Sequence, residues 1–311
     1  MKKRSVSAAR LAAVLAGFAL TGLLAGCSAR PFRYARPTID TYSLDSDFIN
    51  IEIVCPECEV ELLPTKTSAG RNATATVVAR GNDETKHTVK VENGTLKIGH
   101  DQDSKLGIVL YRDKTQEIAV YLPEEEYQTI SIQTKSGDII VPDDFFFENA
   151  SFQTVSGEIR STAAIGRTLL AQSVSGHIRI EGTYPEYLEA YTASGNIEVL
   201  NTVGGSAWVE SGSGNITLRQ DVYEDELNIE TTSGSVRFDE SDAHTINVKT
   251  TSGNVKGTLL SNKAYKVSTK SGSVKIPSMD DSSLTGADGK DQFYGSCIIN
   301  TGSGNIDMRA K

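Results

Sequence analysis

Hydrophobic and polar residues alternate in a pattern that recurs about every nineteen residues from residue 130 onward. Each repeat contains a Ser-Gly pair, a polar residue and then Ile or Val. Successive glycines are 20, 19, 19, 19, 20, 19, 19 and finally 32 residues apart. They are Gly137, Gly157, Gly176, Gly195, Gly214, Gly234, Gly253, Gly272 and Gly304. A fixed period of this length is typical of a solenoid, in which each repeat forms one coil.

Apolar residues fill fixed columns when the repeats are aligned on the glycine. The columns lie seven and five residues before the glycine and two residues after it, as Leu188, Ala190 and Ile197 do around Gly195. A period of two predicts strands, and the change of parity across Ser-Gly predicts a corner at a residue that tolerates unusual backbone angles. A third apolar column is expected fifteen residues after the first. Its members are Phe145, Ile165, Tyr184, Val203 and Val222.

These columns predict an all-β chain, folded as a right-handed parallel β-solenoid with about 19 residues per coil. A column of Ser and Thr from Thr134 to Thr301 predicts a ladder of hydroxyls beside the core. No base stands at a fixed offset from these hydroxyls, so they are not expected to be nucleophiles. The column after the glycine, with Asp138, Glu158 and His177, suits turn geometry and is too sparse in acidic residues to predict calcium sites.

The N-terminus has the three parts of an export signal. Residues 1–26 contain a basic start, an apolar run from Leu11 to Leu24 and a small-residue end. Residues 24–27 (Leu-Ala-Gly-Cys) resemble the bacterial lipobox, so Cys27 is predicted to carry the lipid. An uncleaved membrane anchor is the alternative, because the run is only slightly too short to span a bilayer. Lipidation predicts attachment to the outer face of the cytoplasmic membrane, or to the outer membrane where the source has one.

The net charge of the chain makes some classes of binding partner unfavourable. The chain contains 31 Lys and Arg and 40 Asp and Glu. Cleavage of the signal would remove four basic residues and no acidic ones, which leaves a net charge near −13. A surface of this charge is not expected to bind nucleic acid or anionic lipid headgroups.

The chain divides into four sections. They are a signal peptide at 1–26, a lipid anchor and tether at 27–39, an irregular N-terminal β section at 40–128 and a regular solenoid at 129–311. In the irregular section, Asn93-Gly94 is expected to replace Ser-Gly in one coil, and a hairpin within this section is left open as an alternative. The long final interval predicts an insertion near 277–295, either a flexible loop or a binding loop. The last coil ends at Lys311 without an evident cap, which would permit end-to-end self-association.

The three remaining cysteines fall at defined repeat positions. In the repeat, Cys55 occupies the position of the Ser/Thr column and Cys58 occupies the position of the Ser-Gly glycine. We therefore expect a local disulfide or two unreacted thiols at a coil corner. A thioredoxin-like role would need a helix start, and a zinc site would need two further ligands. Cys297 falls in the first apolar column and is predicted to lie in the core. No catalytic, cofactor or metal site is therefore predicted.

The Ser-Gly-x-Ile/Val coils, preceded by the segment Ile118–Pro123 (IAVYLP), resemble the bacterial family of domains of unknown function named putative adhesin. The resemblance covers residues 45–310. It implies a β-strand-repeat solenoid of envelope and surface proteins, with no established active site. The Cys-Pro-Glu-Cys corner departs from the glycine that is usual in this family.

These features favour a non-catalytic envelope lipoprotein that displays an adhesin-like binding or scaffold module. Its ligand would be an envelope polymer, a glycan or a protein. One alternative is an envelope-stress sensor or assembly factor that acts through a membrane protein partner. A second is a polysaccharide-active enzyme, because parallel β-helices also host such enzymes. That alternative requires an acid and base cluster, for which Asp280 and Asp281 are the residues to mutate.

Overall fold

The computed structural model describes residues 37–65, 74–82, 87–100, 116–277 and 295–311. Within these ranges the chain forms 25 strands and no helix that could cross a membrane. The strands are β1 (Pro37–Leu44), β2 (Asn50–Val54), β3 (Cys58–Pro64), β4 (Ala75–Asn82), β5 (His87–Glu92), β6 (Thr95–His100), β7 (Gln116–Leu122), β8 (Glu126–Gln133), β9 (Ile139–Val141), β10 (Phe146–Gln153), β11 (Ile159–Ser161), β12 (Ala164–Ser173), β13 (Ile178–Glu181), β14 (Tyr187–Thr192), β15 (Ile197–Leu200), β16 (Val203–Gly204), β17 (Ser206–Ser211), β18 (Ile216–Arg219), β19 (Val222–Thr231), β20 (Val236–Thr250), β21 (Val255–Leu259), β22 (Ala264–Ser271), β23 (Val274–Lys275), β24 (Ser296–Ser303) and β25 (Ile306–Ala310).

Strands of successive coils pair in parallel and form two stacks, which we call sheet A and sheet B. Sheet B contains the strand before each Ser-Gly, in the order β5-β6-β2-β8-β10-β12-β14-β17-β19-β20-β24-β22. Sheet A contains the strand after it, in the order β1-β4-β7-β3-β9-β11-β13-β15-β18-β20-β21-β25-β23. The long strand β20 belongs to both. The predicted all-β parallel solenoid is confirmed.

The core is a thin apolar layer between the two sheets. Its members come from the predicted columns, and Leu188, Ala190 and Ile197 are all fully buried. The third predicted column is only partly correct. Phe145 and Ile165 are buried, whereas its last three members point outward into solvent. They are Tyr184, Val203 and Val222, with exposed fractions of 61%, 48% and 37%.

A left-handed corner that the hydrophobic pattern does not reveal accounts for this error. Four residues at the same position of successive coils have positive φ angles of 69°, 52°, 56° and 55°. They are Gly182, Asn201, Gln220 and Glu240. The corner turns the next residue of each coil inward, so small polar side chains occupy the buried positions. These are Thr183, Thr202, Asp221 and Ser241. The inward register is thereby shifted by one residue.

Close stacking explains the glycine at the Ser-Gly corner. A Cβ added to Gly195 would lie 1.9 Å from the carbonyl oxygen of Gly176, and one added to Gly214 would lie 1.8 Å from that of Gly195. The seven Ser-Gly glycines from Gly137 to Gly253 do not have positive φ angles. Our expectation that this corner needs unusual backbone angles is therefore wrong. Glycine is required because a side chain has no space between coils.

The hydroxyl column stabilises the glycine backbone and does not form a hydroxyl-to-hydroxyl ladder. The Thr192 hydroxyl accepts a hydrogen bond from the Gly195 amide at 3.1 Å and donates one to the Gly176 carbonyl at 3.1 Å. Ser211 makes the equivalent bonds to Gly214 and Gly195, both at 2.8 Å. Each hydroxyl thus satisfies two buried backbone groups.

Neither the first nor the last coil of the sequence forms an end of the solenoid. The first coil, β2 and β3, lies between β6 and β7 on one side and β8 and β9 on the other. The last coil, β24 and β25, lies between the coil ending in β21 and the outermost β22 and β23. The expectation that the last coil is an uncapped terminal layer is wrong. Periodicity specifies the shape of a coil but not its place in the stack.

The N-terminal end is closed by antiparallel strands. Strands β5 and β6 form a hairpin whose turn is Asn93-Gly94, with φ angles of 51° and 70°. Two consecutive positive φ angles are typical of a two-residue hairpin turn. The expectation that Asn93-Gly94 replaces a Ser-Gly corner is therefore wrong. The predicted signal peptide, Cys27, most of the tether, Asp280, Asp281 and nearly all of the predicted insertion lie outside the described residues.

Candidate functional site

The outer faces of the two sheets differ in chemistry. Sheet A presents charged side chains that pair with one another. The Arg179 guanidinium donates to Glu181 at 2.8 Å and to Glu198 at 2.7 Å, and Arg219 lies 3.2 Å from Asp239. These pairs are solvent-exposed, and the interaction between the two charges of an exposed pair contributes little free energy. The outer face of sheet A is therefore a solvated, largely self-neutralised surface.

The outer face of sheet B instead carries amides, hydroxyls and aromatic rings. Two outward columns run along it because strands pair in register from coil to coil. The first contains Ser151, Leu170, Glu189, Trp208, Asn228, Asn247 and Ile298. The second contains Gln133, Gln153, Gln172, Tyr191, Glu210, Glu230, Lys249 and Asn300. This face combines ring surfaces and uncharged hydrogen-bonding groups with charged side chains, among them the Lys249–Glu230 ion pair.

Toward the β22 end of this face lies a groove of about 210 Å³, which we call the Trp208 groove. It is lined by Trp208, Asn228, Ile229, Glu230, Asn247, Val248, Lys249, Ile298 and Asn300. Hydrogen bonds hold the lining in place. Trp208 Nε1 donates to Glu210 at 3.3 Å, and Asn247 Nδ2 donates to Glu226 at 2.8 Å and to Asn228 at 3.0 Å. The groove is therefore ordered before any ligand arrives.

Hydrophobic periodicity did not predict this groove, because periodicity identifies the inward residues. A signal is nevertheless present in the sequence. Trp208, Asn228 and Asn247 are separated by 20 and 19 residues, the coil spacing, so they occupy one outward column. Trp208 is also the only tryptophan of the chain. An aromatic ring flanked by amides suits a ligand that has both apolar faces and hydroxyl groups.

The predicted Cys55 and Cys58 corner lies at the N-terminal end of the core. The two cysteines are fully buried and are joined by a disulfide, with Cα atoms 5.4 Å apart. Gln116 follows Cys58 in the stack, and Cys58 Sγ lies 3.7 Å from Gln116 Oε1. On the side of β7, Cys58 pairs with Gln116 and not with a glycine. The close glycine-to-glycine contact of the other corners is therefore missing there, which explains why a side chain is tolerated at this glycine position.

A histidine that the sequence did not connect to this corner lies beside it. His87, the first residue of β5, is 5% exposed, and its ring nitrogen approaches both sulfurs. The ligand atoms of Cys55, Cys58 and His87 all lie within 4.8 Å of one another. Sequence distance concealed this cluster, because His87 reaches the corner only through the antiparallel hairpin.

Among the side chains that the structure describes, His177, His244 and Cys297 belong to no group of metal-ligating residues. His177 Nδ1 accepts the Asn196 amide at 2.9 Å and so supports a corner, and His244 is exposed. Cys297 is fully buried, as predicted, and burial raises the pKa of its thiol to about 12. A buried ion pair between Asp242 and Lys263, 2.7 Å apart, lies nearby. A neutral buried thiol is a poor nucleophile, which fits a packing role.

Asp221 is a buried acid at the left-handed corner. Its carboxylate accepts hydrogen bonds from the amides of Thr202 at 2.9 Å and Arg219 at 2.8 Å. Burial raises the pKa of Asp221 to about 7, although these two amides oppose the shift. A carboxylate used to bind backbone amides in the core acts as a structural support. It also makes the corner sensitive to pH.

Comparison with known proteins gives a family and a fold. A family model described as Toastrack DUF4097 matches residues 49–245 and 207–311. No curated protein matches the chain. Among solved structures, the chain is similar to a putative adhesin from Bacteroides fragilis NCTC 9343, with 16% identity over 88% of this chain and 97% of that one and a TM-score of 0.48. It is also similar to a putative lipid binding protein from Parabacteroides distasonis ATCC 8503, with 16% identity over 87% and 96% and a TM-score of 0.45. A putative adhesin from Parabacteroides merdae ATCC 43184 has 12% identity over 89% and 96% and a TM-score of 0.44.

Proposed function

The chain belongs to the Toastrack DUF4097 family, and on that premise we propose that it is a non-catalytic, adhesin-like module of the cell envelope that binds a glycan polymer along sheet B. The observation that carries this proposal is the Trp208 groove. A partly exposed tryptophan ring and partly exposed amides from successive coils lie together in this groove, beside the Lys249–Glu230 ion pair. Successive strands are about 4.8 Å apart, so the groups recur at intervals comparable to one sugar unit.

The chemistry of the groove supports a polysaccharide ligand. The Trp208 ring offers an apolar surface to the carbon face of a sugar, and Asn228 and Asn247 offer amide groups to its hydroxyls. The surrounding hydrogen bonds fix these side chains in advance, which lowers the entropy lost on binding. The net negative charge of the chain disfavours acidic polymers, so an uncharged glycan is the expected ligand.

Retention on immobilised polymers tests the proposal. The full chain in detergent would be applied to a panel of cell-wall polymers and host glycans, with and without calcium. We expect retention of at least one uncharged glycan, independent of calcium. Trp208→Ala should weaken it by about 30-fold, because a central tryptophan contributes about 2 kcal/mol or more at a binding site. Arg237→Ala on sheet A is the matched control and should bind normally. Retention by neither wild type nor variants would refute the proposal.

We further propose that lipid on Cys27 holds the module at the membrane surface. The basic start and the apolar run before Cys27 support this assignment. Cells that express the Cys27→Ser variant should release the protein from the membrane fraction and should not incorporate labelled fatty acid into it. Membrane retention with no label in the wild type would instead indicate an uncleaved anchor.

One observation favours the alternative of a sensor or assembly factor. Tyr184, Val203 and Val222 form a row of exposed apolar side chains on the side of the solenoid, and such rows mark protein contacts. Replacing Tyr184 and Val203 by serine tests this alternative. Loss of a co-purified membrane protein, with polymer retention unchanged, would support it.

A further inference from the structure

Four polar side chains from three separate parts of the sequence converge at the N-terminal end of the core. Cys55 lies in the link between β2 and β3 and Cys58 begins β3, His87 begins β5 in sheet B, and Gln116 begins β7 in sheet A. Their exposed fractions are 0%, 0%, 5% and 7%. The Tyr42 hydroxyl donates to the His87 carbonyl at 3.0 Å, which fixes this residue against the cap strands. From this geometry we propose that the cluster, once its disulfide is reduced, is a closed binding site for Zn²⁺.

The distances suit one metal ion. Around a tetrahedral zinc with bonds of about 2.3 Å to sulfur and about 2.1 Å to oxygen, a sulfur and an oxygen lie about 3.6 Å apart. Cys58 Sγ and Gln116 Oε1 are 3.7 Å apart. The sulfurs and the His87 nitrogen lie within 4.8 Å of one another, so shifts of about 1 Å complete the sphere. Cys55 and Cys58 also have the two-residue spacing of many zinc sites.

The net charge of the buried complex determines which metal ion the four ligands favour. Two thiolates, one imidazole and one amide around Zn²⁺ give a neutral complex, and a neutral complex costs least to bury. Cu⁺ in the same position would leave one uncompensated negative charge in the core. Mg²⁺ and Ca²⁺ prefer oxygen ligands, of which the cluster offers one. The ligand set therefore favours zinc.

The disulfide and the metal exclude each other. A dithiol reductant transfers two electrons to the Cys55–Cys58 bond, is itself oxidised to a disulfide and leaves two thiols. Zinc binding then displaces one proton from each thiol to solvent. In the oxidised state the disulfide closes the corner covalently. In the reduced state zinc would tie the edge strand β5 to the same corner, which makes this end of the solenoid dependent on redox conditions.

Metal analysis tests the inference. The full chain in detergent is reduced with a phosphine, equilibrated with zinc chloride, desalted and analysed for bound metal. We expect about one zinc per chain after reduction and none in the oxidised chain. Cobalt substitution should give the thiolate charge-transfer absorption of a tetrahedral site. His87→Ala should lower zinc affinity by more than about 100-fold, because even indirect ligand supports alter affinity by 10- to 100-fold.

Matched variants separate the site from the fold. Thr88→Ala, next to His87, and Cys297→Ala, a buried cysteine elsewhere, should bind zinc like the wild type, and Cys27→Ala excludes the N-terminal thiol. Circular dichroism establishes that the Cys55→Ser and Cys58→Ser variants fold. Equal zinc in the oxidised chain, unchanged zinc in the folded Cys55→Ser variant, or binding of Cu⁺ but not Zn²⁺ would each overturn the inference.

Discussion

Replacing Gly195 by alanine should destabilise the solenoid strongly, because the glycine column permits the close stacking of coils. The new Cβ would lie 1.9 Å from the Gly176 oxygen, so the two coils must separate by more than about 1 Å to reach ordinary contact. That separation breaks the bond from the Thr192 hydroxyl to the Gly176 carbonyl, now 3.1 Å long. Overpacking costs about 1–3 kcal/mol and an unsatisfied buried carbonyl costs about 1–3 kcal/mol. Together these costs predict a loss of about 2–6 kcal/mol.

Gly182→Ala is the matched control for this substitution. Gly182 has a φ of 69° but nothing within 4 Å of an added Cβ, and non-glycine residues adopt this conformation in the next three coils. Its cost should be about 1–2 kcal/mol, the penalty of a left-handed conformation. Urea unfolding followed by circular dichroism measures both. Equal destabilisation by the two variants, or a smaller effect at Gly195, would refute the stacking argument.

Two further predictions concern the corners. Thr192→Val should cost about 2–4 kcal/mol in urea unfolding, because it leaves two buried backbone groups unpaired; the exposed Ser194→Ala is the control, and equal effects would contradict the assigned bonds. Burial raises the pKa of Asp221 in the folded state from its ordinary value of 3.8 to about 7, so the folded state retains a proton that the unfolded state has lost. Stability should therefore fall as pH rises from about 4 to 8, by at most about 4 kcal/mol. Asp221→Asn should remove this dependence and exposed Asp225→Asn should retain it; a pH-independent wild type would contradict the assignment.

The repeat itself could be predicted because one coil is specified by local chemistry. The columns around Gly195 give strand, corner and core from a period of two and a close-packed glycine. The order of coils at the ends could not be predicted in this way. A coil such as β24 and β25 satisfies the same column rules in any layer, so contacts distant in sequence decide its position. The left-handed corner was also missed, because Asn201, Gln220 and Glu240 share a backbone conformation and no side-chain chemistry.

The candidate sites, like the order of the coils, depend on contacts between residues that are distant in sequence. Cys55 and Cys58 could be placed at a corner because they occupy repeat positions, whereas His87 joins them through a hairpin that lies outside the repeat. Trp208 lies on a predicted strand, yet its proposed role depends on neighbours in other coils. Inward residues follow the hydrophobic pattern because their side chains are buried. Outward residues are free of that pattern, so their chemistry becomes visible only when the register between coils is known.

The central claim is that sheet B binds a glycan at the Trp208 groove, and the fluorescence of the single tryptophan tests it most directly. Oligosaccharides of each retained polymer would be titrated into the full chain while the emission of Trp208 is recorded. A sugar ring over the indole must change its environment, so we predict a saturable change in emission whose midpoint matches the affinity measured by retention. Retention of a polymer with no change in Trp208 emission would contradict the claim.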